Sequence, residues 1–242
     1  MEKGLKLSRE YIQVKRQKNG ELTFGGDQGF FAGAQKGSAD EKKEKFGCGI
    51  IALSDLFLYL ANKNSRFVIE QNMSYVNHAL LQEEYQKYYN SIYKFLGGIP
   101  LKGGVSGIKL QCGFNRMARR KKWPVRARWC FSGKKLYRRI EEMLEKDIPV
   151  ILCIPMLLRK KDKERKLPFY IREENGFKQV LKMSAHYVTV TEIIIEKEDT
   201  VFLEISSWGK KYYIKWEEYD YLIHTVFLGT ILGNILYIRD LF

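Results

Sequence analysis

The stretch KFGCGIIALSDLFLYL, residues 45–60, places a cysteine between two glycines directly ahead of a long apolar run. The pattern predicts a helix that begins at Gly47-Cys48-Gly49 and ends near Asn62. The first N–H groups of a helix have no intrahelical acceptor and carry partial positive charge, so a thiolate at Cys48 is stabilised there. The flanking glycines let backbone N–H groups and a substrate carbonyl approach the sulfur. Cys48 is therefore a candidate nucleophile.

Composition limits the class of protein. The 242 residues are 45% hydrophobic and 14% aromatic, which is enough for a real core, and we predict a single domain over residues 1–242. No apolar segment is long enough for a secretory signal or a membrane span, so we expect a cytoplasmic protein. The four cysteines are widely spaced and only three histidines occur, which argues against a zinc site or a disulfide scaffold. We expect neither a metal nor an organic cofactor.

The net charge of +14 is unevenly distributed. Between Glu84 and Glu141 there are fifteen Lys or Arg residues and no acidic residue, with the highest density in NRMARRKKWPVRARW. This pattern indicates either an anionic partner bound through residues 109–139 or a solvated surface, and we favour the solvated surface. A second basic block at 157–168 is typical of an exposed loop or hairpin tip.

Helical periodicity predicts further helices over about 74–96 and 106–121, and an amphipathic helix over 134–147 in which Leu136, Ile140, Met143 and Leu144 share a face. β-branched and aromatic runs predict strands, with a short helix near 217–223. The strands cover PVRARWCF (124–131), PVILCIP (149–155), AHYVTVTEIIIE (185–196), TVFLEISSW (200–208), KKYYIKW (210–216) and ILGNILYIRD (231–240). A helical part followed by an antiparallel sheet is an α+β class of fold.

A cysteine nucleophile needs a base, and His186 is the best candidate because it opens a predicted strand. The other two histidines, His78 and His224, lie in predicted helices and are interpreted as packing residues. His186 follows Cys48 by 138 residues, a separation found in papain-like enzymes.

The segment ISSWGKKYYIKW, residues 205–216, adds a third motif. A cysteine at a helix start, a histidine that opens a strand and then Ser-Trp-Gly leading into a hairpin resemble the papain-like cysteine peptidases. The nearest resemblance is to the bacteriocin leader-peptidase-like branch, over roughly residues 24–216. It implies a papain-like fold with an active-site cleft between its helical part and its sheet.

The resemblance also implies roles for single residues. Cys48 would be the nucleophile, His186 the base, Ser206 the residue that orients the histidine, and Gln28 the side chain that completes the oxyanion hole. Trp208 would cover the hydrogen bond between the histidine and its orienting residue and would be buried. The expected function is nucleophilic acyl transfer on a peptide or other amide substrate.

Two positions depart from the family pattern. Ser206 stands where the family has Asn or Asp, and a hydroxyl supplies no negative charge to an imidazolium, so Glu204 on the same strand face is the alternative orienting residue. The family glutamine lies a few residues ahead of the cysteine, whereas Gln28 and Gln35 lie twenty and thirteen residues ahead. This spacing requires the charged segment KGSADEKKEK to loop out. Gln28 and Ser206 are preferred, and a catalytically silent papain-like domain that binds a peptide or polyanion is the alternative function.

Overall fold

A computed structural model describes residues 3–69, 79–100, 104–130 and 135–240 of the chain. The helices are α1 (Ala39–Phe46), α2 (Cys48–Lys63), α3 (Gln82–Phe95), α4 (Gly107–Arg120), α5 (Leu136–Glu145), α6 (Trp216–Thr225) and α7 (Gly229–Leu232). The strands are β1 (Lys3–Lys6), β2 (Val14–Lys15), β3 (Leu80–Leu81), β4 (Val125–Trp129), β5 (Val150–Ile154), β6 (Leu167–Glu173), β7 (Gly176–Met183), β8 (His186–Ile195), β9 (Val201–Ser207), β10 (Lys210–Lys215) and β11 (Ile235–Asp240). The fold class is α+β, as predicted.

Two compact units divide the chain. The sheet unit consists of residues 1–8, 129–206 and 211–237, and the helical unit of residues 9–128, 207–210 and 238–242. The prediction of one domain over 1–242 stays a prediction.

The sheet unit is organised around β8, the longest strand. Its first half, from His186 to Val190, pairs antiparallel with β5, and its second half pairs antiparallel with β1. β9 lies on the other side of β8, and β10, β6 and β7 follow in that order. Every residue of β5 is buried. His186 therefore starts a strand in the interior of the sheet.

Helix α5 shows how the sequence pattern produces packing. Its residues Leu136, Ile140, Met143 and Leu144 are all buried, which confirms the predicted apolar face. The helix packs on β1, β5 and β8. Burial of one apolar stripe against the sheet is the main source of its stability, because a helix of ten residues is marginal alone.

The helical unit is built around α2. All thirteen residues from Gly49 to Ala61 are buried, so this helix is covered on every side, and its sequence is apolar except for Ser54 and Asp55. Phe57 stacks on Phe114 of α4 with ring centroids 5.3 Å apart and meets Trp123 edge-on at 5.7 Å. The apolar run at 50–61 thus forms the centre of this unit.

Several segments differ from the sequence prediction. The charged segment before Cys48, for which no helix was predicted, forms α1, whose start is capped by Ser38: its Oγ accepts from the Glu41 N–H at 3.1 Å. The predicted helix over 74–96 begins only at Gln82, after the strand β3, and positions 74–78 lie outside the described residues. The β6–β7 hairpin was not predicted.

The basic loop at 157–168 carries a short 3-10 helix at Lys160–Asp162. Its basic residues are exposed, as predicted, whereas Asp162 is buried. In the described part of the chain, no helix is both long and apolar enough to cross a membrane.

Candidate active site

Cys48 is the first residue of α2, as the sequence predicts, and Gly47 is the N-cap. The Gly47 carbonyl accepts from the N–H groups of Ile50 and Ile51, both at 2.9 Å, so the helix begins at the cysteine. Cys48 is half-buried, whereas Cys112 is exposed. The thiol thus lies at the positive end of the helix dipole, which favours an anion.

Packing explains why Gly47 is a glycine. A Cβ at this position would lie 2.2 Å from the Lys43 carbonyl oxygen and 2.6 Å from the hydroxyl oxygen of Tyr89. Both distances are far below van der Waals contact, and one of the atoms belongs to the backbone. The glycine ahead of the cysteine is therefore required by close packing around the helix start, in addition to any access it gives to the sulfur.

Gln28 begins a short 3-10 helix, Gln28–Phe31, and is buried. Its side-chain amide donates to the Glu44 carbonyl at 2.7 Å and to the Lys43 carbonyl at 3.4 Å. These carbonyls belong to the last turn of α1, directly ahead of Cys48. Gln28 therefore holds the end of α1 in place directly ahead of the cysteine. Its role in the oxyanion hole stays a prediction, and that role requires one of these two hydrogen bonds to break. Gln35 is exposed.

The Ser-Trp-Gly motif forms the turn between β9 and β10. Trp208 has φ of 49° and Gly209 has φ of 66°, the left-handed pair that two-residue hairpins prefer. Gly209 donates to Gly26 and accepts from Phe24, at 3.1 and 2.8 Å, which fastens the turn to the loop that leads into Gln28. Trp208 is only partly buried, which is less than the predicted burial. A bulky residue with positive φ is strained, and such strain often marks functional sites.

In the sheet unit, His186 is the first residue of β8 and only 5% exposed. Ala185 before it has φ of 54° and its N–H donates to the Pro155 carbonyl at 3.0 Å. A residue in the left-handed conformation therefore directly precedes the strand. Burial lowers the pKa of His186 to about 4. At neutral pH this environment favours the neutral imidazole, the form that can accept a proton from a thiol.

The two candidate orienting residues differ in environment. Glu204 is buried, and its carboxylate accepts from the Thr191 hydroxyl at 2.9 Å and the Tyr213 hydroxyl at 3.3 Å and pairs with Lys211 Nζ at 2.8 Å. Its oxygens are therefore engaged locally. Ser206 pairs in register with Thr189, three positions along β8 from His186, so Ser206 and His186 are not directly opposite each other in the sheet. The orienting role of Ser206 stays a prediction.

His224 is not a packing residue, because it is exposed at the end of α6 and bonds Asp220 within its own helix, Nδ1 to carbonyl oxygen at 2.8 Å. His78 lies outside the described residues. Among the residues that the structure covers, no group of three or more His, Cys, Asp or Glu side chains is arranged to hold a metal ion.

The basic segment has two kinds of side chain. Lys109 and Arg116 serve the fold: Lys109 Nζ donates to the Gly98 carbonyl at 2.8 Å, and the Arg116 guanidinium stacks 4.1 Å from the Phe95 ring centroid. The residues at 119–122, which we call the RRKK cluster, are exposed. Within the described chain none of these four forms an ion pair, and Lys121 Nζ donates to the Ile69 carbonyl at 2.8 Å.

The buried carboxyl of Asp55, in the middle of α2, was not predicted from the sequence. It accepts from the Tyr85 hydroxyl at 2.6 Å, the Gly26 N–H at 2.9 Å and the Tyr11 hydroxyl at 3.3 Å. Burial raises its pKa to about 6, against the lowering effect of these donors. An acidic residue inside an otherwise apolar helix was the available signal.

Comparison of the chain with family models, curated proteins and solved structures finds no significant match in any of the three.

Proposed function

We propose that this protein is a papain-like cysteine peptidase or a related amide hydrolase or acyl transferase, with Cys48 as nucleophile and His186 as base. The observation that carries the proposal is the position of Cys48 as the first residue of a buried helix, where the backbone stabilises a thiolate. His186 at the start of β8 is neutral at pH 7 and can accept a proton, but burial lowers its pKa to about 4 and makes it a weaker base, so the transfer requires the charge of a thiolate beside it. The papain-like fold is part of the proposal and comes from the sequence motifs.

In the proposed reaction His186 takes the proton from the Cys48 thiol, and the thiolate attacks the carbonyl carbon of an amide. Backbone N–H groups at the start of α2 hold the developing oxyanion, and His186 then gives its proton to the leaving amine. Water or an amine takes the acyl group from sulfur and restores the thiol. The imidazolium formed in the first step is costly in a buried position, and the thiolate formed with it would offset that cost.

The test compares the reactivity of Cys48 with that of Cys112. If solvent exposure alone controlled reactivity, the more exposed thiol would react first. Cys112 is exposed and Cys48 is half-buried, so accessibility alone predicts that Cys112 reacts first. An activated Cys48 is expected to react with iodoacetamide faster than Cys112 at pH 7, and still to react at mildly acidic pH. The modified positions are identified by mass spectrometry.

A faster reaction at Cys112 than at Cys48 would contradict the proposal and would favour the catalytically silent binding domain. If Cys48 is activated, a library of peptide amides is the next substrate to assay, with the Cys48→Ala variant as the inactive control.

A further inference from the structure

Tyr89 lies in the third turn of α3 and is completely buried in the helical unit. Its ring packs against Phe31, with centroids 4.8 Å apart, and stacks with Tyr93 at 6.4 Å. Neither contact involves the phenol oxygen. The ring is held in place by packing, so the position of the hydroxyl is fixed independently of any hydrogen bond.

The Tyr89 hydroxyl has no hydrogen-bond partner within the described structure. It lies beside the start of α2, since its oxygen is 2.6 Å from the place where a side chain at Gly47 would begin. A buried hydroxyl without a partner destabilises a fold, so each such group requires an explanation, such as a catalytic role or a bound water. The adjacent residue is Cys48, and the electrostatic influence of its thiolate reaches the Tyr89 hydroxyl.

Burial, and after it the charge of Cys48, raise the pKa of Tyr89 well above its ordinary value. The phenol therefore keeps its hydrogen over the whole range in which the thiol titrates. Other titratable groups on the packed elements are Tyr93 of α3 and the pair formed by Lys43 and Asp40 of α1, whose nitrogen and oxygen are 2.5 Å apart. Lys43 Nζ lies over the rings of Phe31 and Tyr93 and already has Asp40 as its counter-ion.

We propose that Tyr89 is a positioning residue that donates its hydroxyl hydrogen to the Cys48 thiolate and so holds the nucleophile in its reactive form and orientation. The inference rests on the proposed function in one respect, namely that Cys48 is the nucleophile. The uncharged thiol gains little from this donor, whereas the thiolate gains a strong hydrogen bond in a buried position. The hydroxyl would be unpaired in the resting thiol form and paired in the reactive one.

The test is the pH dependence of alkylation of Cys48 in the Tyr89→Phe variant of the full chain. We expect the apparent pKa of Cys48 to rise by about one unit, with an alkylation rate about tenfold lower at pH values below it. Tyr93→Phe is the matched control, because it removes a hydroxyl from the same helix one turn away, and its profile should coincide with that of the wild type. Thermal unfolding of Tyr89→Phe should occur no earlier than in the wild type, since the hydroxyl that is removed has no partner.

Coincident profiles for Tyr89→Phe and the wild type would overturn the inference, whatever the absolute reactivity of Cys48. A slow Cys48 relative to Cys112 in the wild type would instead reject the proposed function, so the two failures are distinguishable. Fluorotyrosine at position 89 gives a second test that keeps the hydroxyl: a stronger donor should move the apparent pKa of Cys48 downward. A shift in the same direction as Tyr89→Phe would contradict the proposed hydrogen bond.

Discussion

Asp55 in the helical unit and His186 in the sheet unit are both buried, but burial shifts their pKa values in opposite directions. It raises the pKa of Asp55 from 3.8 to about 6 and lowers that of His186 from 6.5 to about 4. In both cases the interior disfavours the charged form. Three donors stabilise the charged form of Asp55, whereas burial keeps His186 neutral and makes it a weaker base than a solvated imidazole. Asp55 is therefore a residue of the fold, and the proposed role of His186 as a base requires a neighbouring negative charge to offset its lowered pKa.

The largest expected difference concerns reactivity. His186→Ala should lower the alkylation rate of Cys48 at pH 7 by about 100-fold or more, because a general base contributes at least that factor. Asp55→Asn should leave the rate within about twofold of the wild type, since its carboxyl bonds Tyr11, Tyr85 and Gly26 rather than the cysteine. Rates are measured by mass spectrometry of Cys48. An equal decrease in both variants would show that the two buried groups do not have separate roles.

The second difference is the pH dependence of stability. The folded-state pKa of Asp55 is raised, so its stabilisation is complete below its ordinary value of 3.8 and is lost as pH rises through about 6. The folded-state pKa of His186 is depressed, so its stabilisation is present above 6.5 and is lost as pH falls through about 4. The two contributions oppose each other in the wild type over this window.

Single variants should separate these contributions. Between pH 4 and 6 and relative to the wild type, the free energy of unfolding of Asp55→Asn should rise by about 1 kcal/mol per pH unit. That of His186→Asn should fall by a similar amount. Urea unfolding at several pH values measures both slopes. Parallel curves for the two variants would show that at least one of the pKa shifts has the wrong sign.

A smaller effect is expected from the donors of Asp55. Tyr85→Phe should lower the free energy of unfolding at pH 7 by about 1.5 kcal/mol, because it removes a hydrogen bond to a buried carboxylate. The decrease should shrink near pH 4, where Asp55 is protonated. Tyr89→Phe is the control on the same helix, with an unpartnered hydroxyl. Equal decreases in the two variants would assign the effect to the ring environment and not to Asp55.

Neutralising the RRKK cluster should have the smallest effect on stability and on the alkylation of Cys48. Changing Arg119, Arg120, Lys121 and Lys122 to Gln should leave both stability and Cys48 alkylation nearly unchanged. If the cluster binds an anionic partner, the salt dependence of binding to labelled single-stranded RNA should flatten by about 0.7 in log–log slope for each phosphate that the variant no longer neutralises. Neutralising the exposed lysines 160, 161, 163 and 166 changes the net charge equally and is the control. Identical binding by both variants would leave the cluster as a solvated surface.

Local pattern was enough for the elements whose apolar residues repeat regularly. Helices α2, α4 and α5 and strands β5, β8 and β9 were predicted from periodicity and composition, because in each of them the spacing of apolar residues defines the buried face. The β6–β7 hairpin was missed although it contains a Glu174-Asn175-Gly176 turn signal, since its strands carry many charges and β7 is largely exposed. The helix α1 before Cys48 was not predicted although Ser38 caps its start, because the high charge of the segment obscured this local signal.

By itself the sequence determined the α+β class, the helix that begins at Cys48 and the strand that begins at His186. Only the tertiary structure decided which polar groups have hydrogen-bond or ion-pair partners. The Gln28 amide donates to a carbonyl of α1 and Glu204 pairs with Lys211, whereas the hydroxyl of Tyr89 has no hydrogen-bond partner in the described structure. The physical reason is the distance along the chain between the residues that interact. Helices and strands follow from neighbours within a few residues, whereas hydrogen-bond partners and desolvation are set by residues that are distant in the chain and meet only when it folds.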